Sequence, residues 1–173
     1  MKNIYMMELS HDYYVDIAKS LITQGAEIKV IGTGSSPLYR PKSVNQFIDN
    51  VKPKITLWED FDYPVRFIKI HDPDYSILTP EVLMQLSYYE KMFLMCTDRN
   101  AFFPISQIDR CRMFYRFIGH FYKILKKEKI DGVLFFGIPH GRASIALFGL
   151  AKILKLETVY VDWAGVATDL AII

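Results

Sequence analysis

Cysteine is scarce in this chain of 173 residues, which contains only Cys96 and Cys111. Two cysteines provide no disulfide framework, and their scarcity is typical of a reduced, cytoplasmic protein. The chain also lacks an excess of charge of either sign, since 21 basic and 19 acidic residues give a net charge of +2. We therefore expect no nucleic acid among its partners, because nucleic-acid binders carry a strongly basic surface.

Long apolar runs and metal-ligand motifs are absent from the sequence as well. No segment offers the ~18 consecutive apolar residues of a membrane-spanning helix, so any contact with the inner face of the plasma membrane would be peripheral. The histidines His11, His71, His120 and His140 show no metal-ligand spacing, and the cysteines form no CxxC motif. We therefore expect no bound metal.

What the chain does have is alternation between short apolar runs and segments of helical periodicity, with 51% hydrophobic residues overall. The predicted strands are Asn3–Met7, Glu27–Ile31, Lys54–Trp58, Val133–Phe136 and Glu157–Asp162. The predicted helices run from a Ser10 cap to Gly25, then over 44–51, 80–95, 107–127 and 142–155. This pattern predicts one Rossmann-like α/β domain over residues 1–173, with a mostly parallel sheet of about five strands and helices on both faces.

The segment Gly137–Arg142 follows a predicted buried strand and precedes a predicted helix. Ligands of open α/β sheets bind outside the carboxyl ends of strands, and a helix N-terminus there attracts anions. We expect His140 to act as an acid or base, and Gly141 and Arg142 to bind substrate. The alternative is that Pro139 and Gly141 only shape a turn.

A second polar group, made of Glu8, Ser10, His11 and Asp12, follows the first predicted strand. It would line the same edge of the sheet as His140. We expect His11 and Asp12 to serve as a general base and its orienting partner, with Glu8 and Ser10 in contact with substrate. The alternative is structural, because Ser10 can cap the helix and Asp12 can complement its dipole.

Other motifs are less specific. Gly32–Pro37 resembles a glycine-rich loop but has Pro37 where the dinucleotide fingerprint requires a third glycine, so we interpret it as a rim loop. Asp98 and Arg99 either form structural ion pairs or reach a polar substrate. We interpret the basic face of the helix predicted over 107–127 as a surface exposed to solvent. The alternative is that this face binds an acidic partner or an anionic lipid.

One set of motifs carries a resemblance to a known family. The motifs are Met95–Arg99, Asp109-Arg110 with Tyr115, Asp131–Phe136 leading into Pro139-His140, and the helix end Leu150–Leu156 with Thr158. They resemble the N-terminal half of bacterial capsule and surface-polysaccharide biosynthesis proteins, best over residues 80 to 162. Such proteins are similar to glycosyltransferases of the GT-B type, in which two Rossmann-like domains face a cleft.

The resemblance implies the acceptor-side domain of a nucleotide-sugar-dependent glycosyltransferase. The partner would be a glycan or lipid-linked acceptor, and the nucleotide sugar would be a co-substrate held mainly by a C-terminal domain, with no further cofactor. One of His11, Asp12 and His140 would deprotonate the acceptor hydroxyl. The alternative function is a non-catalytic α/β module that binds a small ligand or a partner.

The length leaves room for only the first of the two domains that the resemblance implies. We therefore expect no useful sugar transfer by this chain alone. We also expect an apolar inter-domain face at Trp163, Ala164, Val166 and Ala171–Ile173, which would favour self-association.

Overall fold

The structure is a computed structural model that describes residues 2–33, 40–57, 72–100, 105–163 and 170–172. Its fold is α/β and Rossmann-like, as predicted. The described residues form two compact units. Unit 1 comprises the described residues within Met1–Glu59, Glu128–Ile138 and Glu157–Ile173. Unit 2 comprises the described residues within Asp60–Lys127 and Pro139–Leu156.

Unit 1 contains the sheet. Its elements are β1 (Asn3–Met7), α1 (Asp12–Thr23), β2 (Glu27–Thr33), α2 (Lys42–Val51), β3 (Lys54–Leu57), β4 (Gly132–Phe136), β5 (Glu157–Trp163) and β6 (Leu170–Ile172). The strand order is β3-β2-β1-β4-β5-β6, and every pair is parallel except β5 with β6. The prediction that β1 and β4 are central strands is confirmed. The sheet has six strands rather than about five because the apolar run of β6 pairs with β5.

The two central strands form because both are apolar runs that can be buried on two faces. All five residues of β4 are buried, and Ile4 to Met7 of β1 pair with Gly132 to Phe135. On one face of the sheet, side chains of both strands pack with α1 and α2. This core includes Met6, Leu134, Phe136, Val15, Ala18, Phe47 and Ile48.

The start of α1 differs from the prediction. The N-cap is His11, which makes no side-chain capping hydrogen bond, so the prediction that Ser10 caps this helix was wrong. The backbone explains the difference. The amide of Glu8 donates to the carbonyl of Gly32 at 2.8 Å, so β1 stays paired with β2 beyond Met7. Glu8 then turns the chain with a φ of 66°, and the helix begins only after His11.

Unit 2 contains three helices: α3 (Pro80–Asn100), α4 (Gln107–Lys127) and α5 (Arg142–Ile153). Aromatic contacts join α3 to α4, with the Phe93 ring centroid 5.3 Å from that of Phe114. The predicted cap of α4 is confirmed, because the Asp109 amide donates to the Ser106 hydroxyl at 3.1 Å. Among the helices of the described residues, none is long and apolar enough to cross a membrane.

Candidate functional site

The strand order of unit 1 reverses between β1 and β4. From β1 the order continues to β2 and β3 on one side, and from β4 it continues to β5 and β6 on the other. In open α/β sheets, the crevice outside the carboxyl ends of the strands at such a switch point is the usual place for a ligand. The residues there in unit 1 are Glu8 to His11 after β1, Gly137 and Ile138 after β4, and Asp162 near the end of β5.

The carboxylate of Glu8 reaches across this switch point. A Cβ built on Gly137 would lie 3.8 Å from Oε2 of Glu8, which places the carboxylate over the end of β4. Gly137 has a φ of 105°, and its amide donates to the carbonyl of Val161 at 2.8 Å. The crevice between the two central strands is therefore bordered by the carboxylate of Glu8.

Aromatic rings extend from this carboxylate along the first turn of α1. The exposed ring of His11 stacks on Tyr13 with centroids 5.2 Å apart and planes at 8°. Tyr13 meets Tyr14 edge-on at 4.3 Å, and Tyr14 stacks on Phe136 of β4 at 4.3 Å. We call Glu8, His11, Tyr13, Tyr14 and Asp162 the carboxyl-edge cluster. Its rings fix the start of α1 against the end of β4.

The pKa of Tyr14 responds to both carboxylates of the cluster. Burial raises the pKa of its phenol well above the usual value of 10.0, and a hydrogen bond with Tyr13 and the charges of Asp162 and Glu8 raise it further. The phenol therefore stays protonated well into the alkaline range. Sequence reasoning missed Tyr13, Tyr14 and Asp162. The signal that could have found Asp162 was its place near the carboxyl end of a parallel strand.

Two other residues of the first predicted group have structural surroundings. The carboxylate of Asp12 accepts a hydrogen bond from the Ser43 hydroxyl, which joins the start of α1 to the first turn of α2. Ser10 is partly buried and precedes the N-cap. Of the group Glu8, Ser10, His11 and Asp12, the structure thus brings Glu8 and His11 to the carboxyl-edge cluster.

The second predicted group belongs to unit 2, where its backbone is held by hydrogen bonds. The thiol of Cys96 donates to the carbonyl of His140 at 3.0 Å, and the Gly141 amide donates to the Ser144 hydroxyl at 3.0 Å. His140 is exposed, whereas the Arg142 side chain is only 6% exposed. The predicted cleft between the Glu8–Asp12 and Pro139–Arg142 loops involves both units and stays a prediction.

Two side chains of the basic face of α4, those of Arg112 and Lys123, form ion pairs with acidic residues of the same unit. Arg112 lies 3.3 Å from Asp109, and Lys123 lies 2.8 Å from Asp72. These ion pairs favour the interpretation of a solvated face over that of a surface for anionic lipid.

Several predictions fall on parts of the chain outside the described residues. They concern the loop residues Gly34–Pro37, the predicted inter-domain residues Ala164 and Val166, Ile173, and the side chains of Asp98, Arg99, Trp163, Leu170, Ala171 and Ile172. The backbone of Asp98 and Arg99 lies in the last turn of α3. The interpretations of these residues stay predictions.

Unit 1 also has an apolar groove of about 720 Å³ at the opposite edge of the sheet. It is lined by residues at the starts of strands, such as Ile4, Gly132 and Glu157, and by Leu21 of α1. Glu157 is ion-paired with Lys2 at its rim. The groove therefore offers apolar contact with one ion pair at its rim, whereas the cluster at the carboxyl edge combines several titratable groups.

No protein-family model matches the sequence, and no curated protein matches it. Within the described residues, no group of three or more His, Cys, Asp or Glu side chains is placed to hold a metal ion. The chemistry available at the carboxyl-edge cluster is thus that of carboxylates, phenols and imidazole. These groups donate and accept hydrogen bonds and transfer protons.

Proposed function

We propose that this chain is the acceptor-side domain of a nucleotide-sugar-dependent glycosyltransferase of capsule or surface-polysaccharide biosynthesis. The observation that carries the proposal is the carboxyl-edge cluster at the switch point of the sheet. Its carboxylates accept hydrogen bonds from hydroxyl groups, and the exposed ring of His11 with the partly buried ring of Tyr13 provides flat apolar surface. This combination suits a saccharide, which presents hydroxyls at its ring edge and C–H groups on its faces.

Glycosyl transfer requires a base at the acceptor hydroxyl. The base takes the hydroxyl proton, and the oxygen forms a bond to the anomeric carbon of the donor. The bond from that carbon to the diphosphate oxygen breaks, and the nucleoside diphosphate leaves with the electron pair. Within unit 1 we assign the base to His11, because its imidazole is exposed whereas Asp12 is hydrogen-bonded to Ser43. His140 is the candidate of unit 2.

In this proposal the donor is bound mainly by a second domain, and the protein works in the cytoplasm beside the inner face of the plasma membrane. Lipid-linked acceptors are accessible there without a membrane-spanning segment. The resemblance of the sequence motifs to polysaccharide biosynthesis proteins supports the same assignment.

The stacking of His11 on Tyr13 favours a second candidate function, a saccharide-binding module without catalysis. A stacked imidazole serves as part of a contact surface and does not need to accept a proton. The two functions share the binding site and differ only in turnover.

Binding of neutral oligosaccharides to the chain, followed by amide chemical shifts in NMR spectra, tests the site. We expect shifts at residues 8–14 and at Gly137. Tyr13→Ala should weaken binding at least about tenfold, since stacking rings carry much of such contact energy. Tyr75→Ala, at an exposed tyrosine of unit 2, is the matched control and should leave affinity unchanged. Saccharide binding that maps elsewhere, or no binding at all, would contradict the proposed function.

A transfer assay with nucleotide sugars and glycan acceptors separates the two functions. We expect the 173-residue chain alone to give no turnover, because a donor without its own binding surface is not held beside the acceptor. Turnover that is lost in His11→Gln and kept in the control His120→Gln would overturn this expectation and support His11 as the base. Turnover that persists in His11→Gln would contradict the assignment of His11.

A further inference from the structure

The outer side of α3 carries a largely apolar stripe that is exposed to solvent. Its residues are Met84, Tyr88, Lys91 and Met95, separated by four, three and four positions. This alternation places them on one side of the helix, as in the seam of a coiled coil. Met84 is 72% exposed, Tyr88 65% and Met95 64%, and Lys91 is exposed as well. We call these four residues the α3 stripe.

The opposite side of α3 already packs within unit 2. Leu86 and Phe93, which lie across the helix from the stripe, are fully buried, and the Phe93 ring meets those of Phe114 and Phe117. A helix that packs on one side is usually polar on the other. Because α3 instead has large apolar side chains on both sides, its outer side has the composition of an interaction surface.

The ring at the middle of the stripe is held in place before any partner binds. Tyr88 meets Tyr89 edge-on, with centroids 5.4 Å apart and planes at 81°. Tyr89 in turn meets Phe148 of α5 edge-on at 5.7 Å. A contact residue that is ordered in the free protein loses less conformational entropy on association. Tyr88 is therefore suited to be the central contact of an interface.

The order of residues in the stripe is complementary to a second copy that runs in the opposite direction. In an antiparallel pair of α3 helices centred between Tyr88 and Lys91, Met84 faces Met95 of the other copy, and Tyr88 faces Lys91. Each Lys91 ammonium then meets a tyrosine ring, and the flexible methionines pack together. A parallel pair would place Lys91 against Lys91, which like charge disfavours. The charge of the stripe thus selects the antiparallel arrangement.

We propose that the α3 stripe is an interface through which two copies of this chain associate, with their α3 helices antiparallel. Every contact occurs twice about the twofold axis of such a dimer. The stripe spans about three helical turns and offers less than the about 800 Å² per partner of a standard interface, so the dimer is weak and depends on concentration. The stripe includes no residue of the carboxyl-edge cluster, and the proposal is independent of glycosyl transfer.

Sedimentation equilibrium of the 173-residue chain from about 10 μM to about 1 mM tests the interface. We expect reversible association from one copy to two. Met84→Lys and Met95→Glu each place a charge against an apolar side chain and should weaken association at least about tenfold. The double variant Met84→Lys/Met95→Glu should associate more tightly than either single variant, because antiparallel pairing brings its opposite charges together. Ile108→Glu, at an exposed isoleucine of α4, is the matched control and should associate as the wild type does.

Each result supports or overturns a defined part of the proposal. A wild type that stays monomeric throughout, or that instead co-sediments with phosphatidylglycerol vesicles, would overturn the second copy as the occupant. Dimers that both single variants retain would overturn the stripe as the interface. A double variant no tighter than the single ones would overturn the antiparallel arrangement. Far-UV circular dichroism shows whether each variant is folded, and Tyr88→Ala replaces a charged variant that is not, with the same expected loss.

Discussion

The two central strands of the sheet lead into turns of opposite construction. The turn after β4 ends at Gly141, where the Ser144 side chain both accepts from the amide and donates to the carbonyl at 3.0 Å. The turn after β1 ends at His11, whose side chain makes no capping hydrogen bond to α1. The N-terminus of α5 is thus capped by the side chain of Ser144. The N-terminus of α1 has no side-chain cap and lies among carboxylates and aromatic rings.

This difference shows that a strand–turn–helix pattern does not by itself locate a ligand site. The Pro139–Arg142 turn has the residues that suggest anion binding, yet Arg142 is buried and Gly141 is capped. The Glu8–His11 turn lacks glycine, yet it places its polar side chains at the switch point. The two turns thus differ in how their polar side chains are held: Arg142 is only 6% exposed and the Gly141 amide is capped by Ser144, whereas the exposed ring of His11 stacks on Tyr13.

The largest effect is expected from disturbing the packing of α5. A Cβ on Gly149 would lie 2.5 Å from Cγ of Tyr89, so Gly149→Leu must displace the ring. We expect a loss of about 3 kcal/mol in the free energy of unfolding, measured by urea denaturation. Adding Tyr89→Ala to Gly149→Leu should recover part of that loss. An unchanged stability of Gly149→Leu would show that α5 is not locked against α3.

A smaller effect is expected from removing the cap of α5. Ser144 is fully buried, and Ser144→Ala leaves the Gly141 amide without its side-chain acceptor. We expect a loss of about 1 to 2 kcal/mol in the free energy of unfolding. Ser10→Ala, by contrast, should change stability by less than about 0.5 kcal/mol, because Ser10 does not cap α1. Equal losses of unfolding free energy in Ser144→Ala and Ser10→Ala would show that the two turns do not differ in side-chain capping.

The third prediction concerns pH and the carboxyl-edge cluster. Burial raises the pKa of Tyr14 in the folded chain above the unfolded value of 10.0. Above that pH the unfolded chain loses a proton that the folded chain keeps, so stability is full below about pH 10 and falls as pH rises further. Each buried tyrosine of this kind adds at most about 1.4 kcal/mol per pH unit to that slope.

Urea denaturation from about pH 9 to about pH 11 measures the slope. Tyr14→Phe should make it shallower, and Tyr115→Phe should do so as well, because burial and Glu90 raise the pKa of Tyr115. Tyr75→Phe, at an exposed tyrosine, is the control. An identical slope in the wild type and in Tyr14→Phe would show that the phenol is not held as described.

The smallest effect is expected at the contact between α1 and α2. Ser43→Ala removes the hydroxyl that donates to Asp12, an exposed hydrogen bond. We expect a loss of about 0.5 kcal/mol in the free energy of unfolding, since exposed side-chain hydrogen bonds contribute little. A loss as large as that of Ser144→Ala would mean that Ser43 serves as an external cap of α1.

Much of the fold was predictable because its signals are local. The apolar runs Asn3–Met7 and Val133–Phe136 lie at the two central strands, and Ser106 with Asp109 marks the start of α4. β6 was not predicted, because three apolar residues carry no periodicity and their antiparallel pairing with β5 depends on tertiary contact.

The candidate site was predictable only in part. The carboxyl-edge rule identified Glu8 and His11, but Ser10 was assigned as the cap on its intrinsic preference. The pairing of Glu8 with Gly32, which decides where α1 begins, is not visible in the local sequence. Tyr13 and Tyr14 were missed because aromatic residues in an amphipathic helix are normally assigned to the core, and only the structure shows that they meet each other and the ring of His11 at the start of α1.

The pairing of β1 with β4 has a consequence for the order of folding. The Asn3 amide donates a hydrogen bond to the carboxylate of Asp131, which lies 128 positions later in the chain. Contacts of such long range must first overcome the entropy of closing a large loop, and they slow folding. During synthesis, the βαβ segment of β1, α1 and β2 emerges well before β4. The backbone groups on one side of β1 therefore stay unpaired until residues 132–135 of β4 have been synthesised.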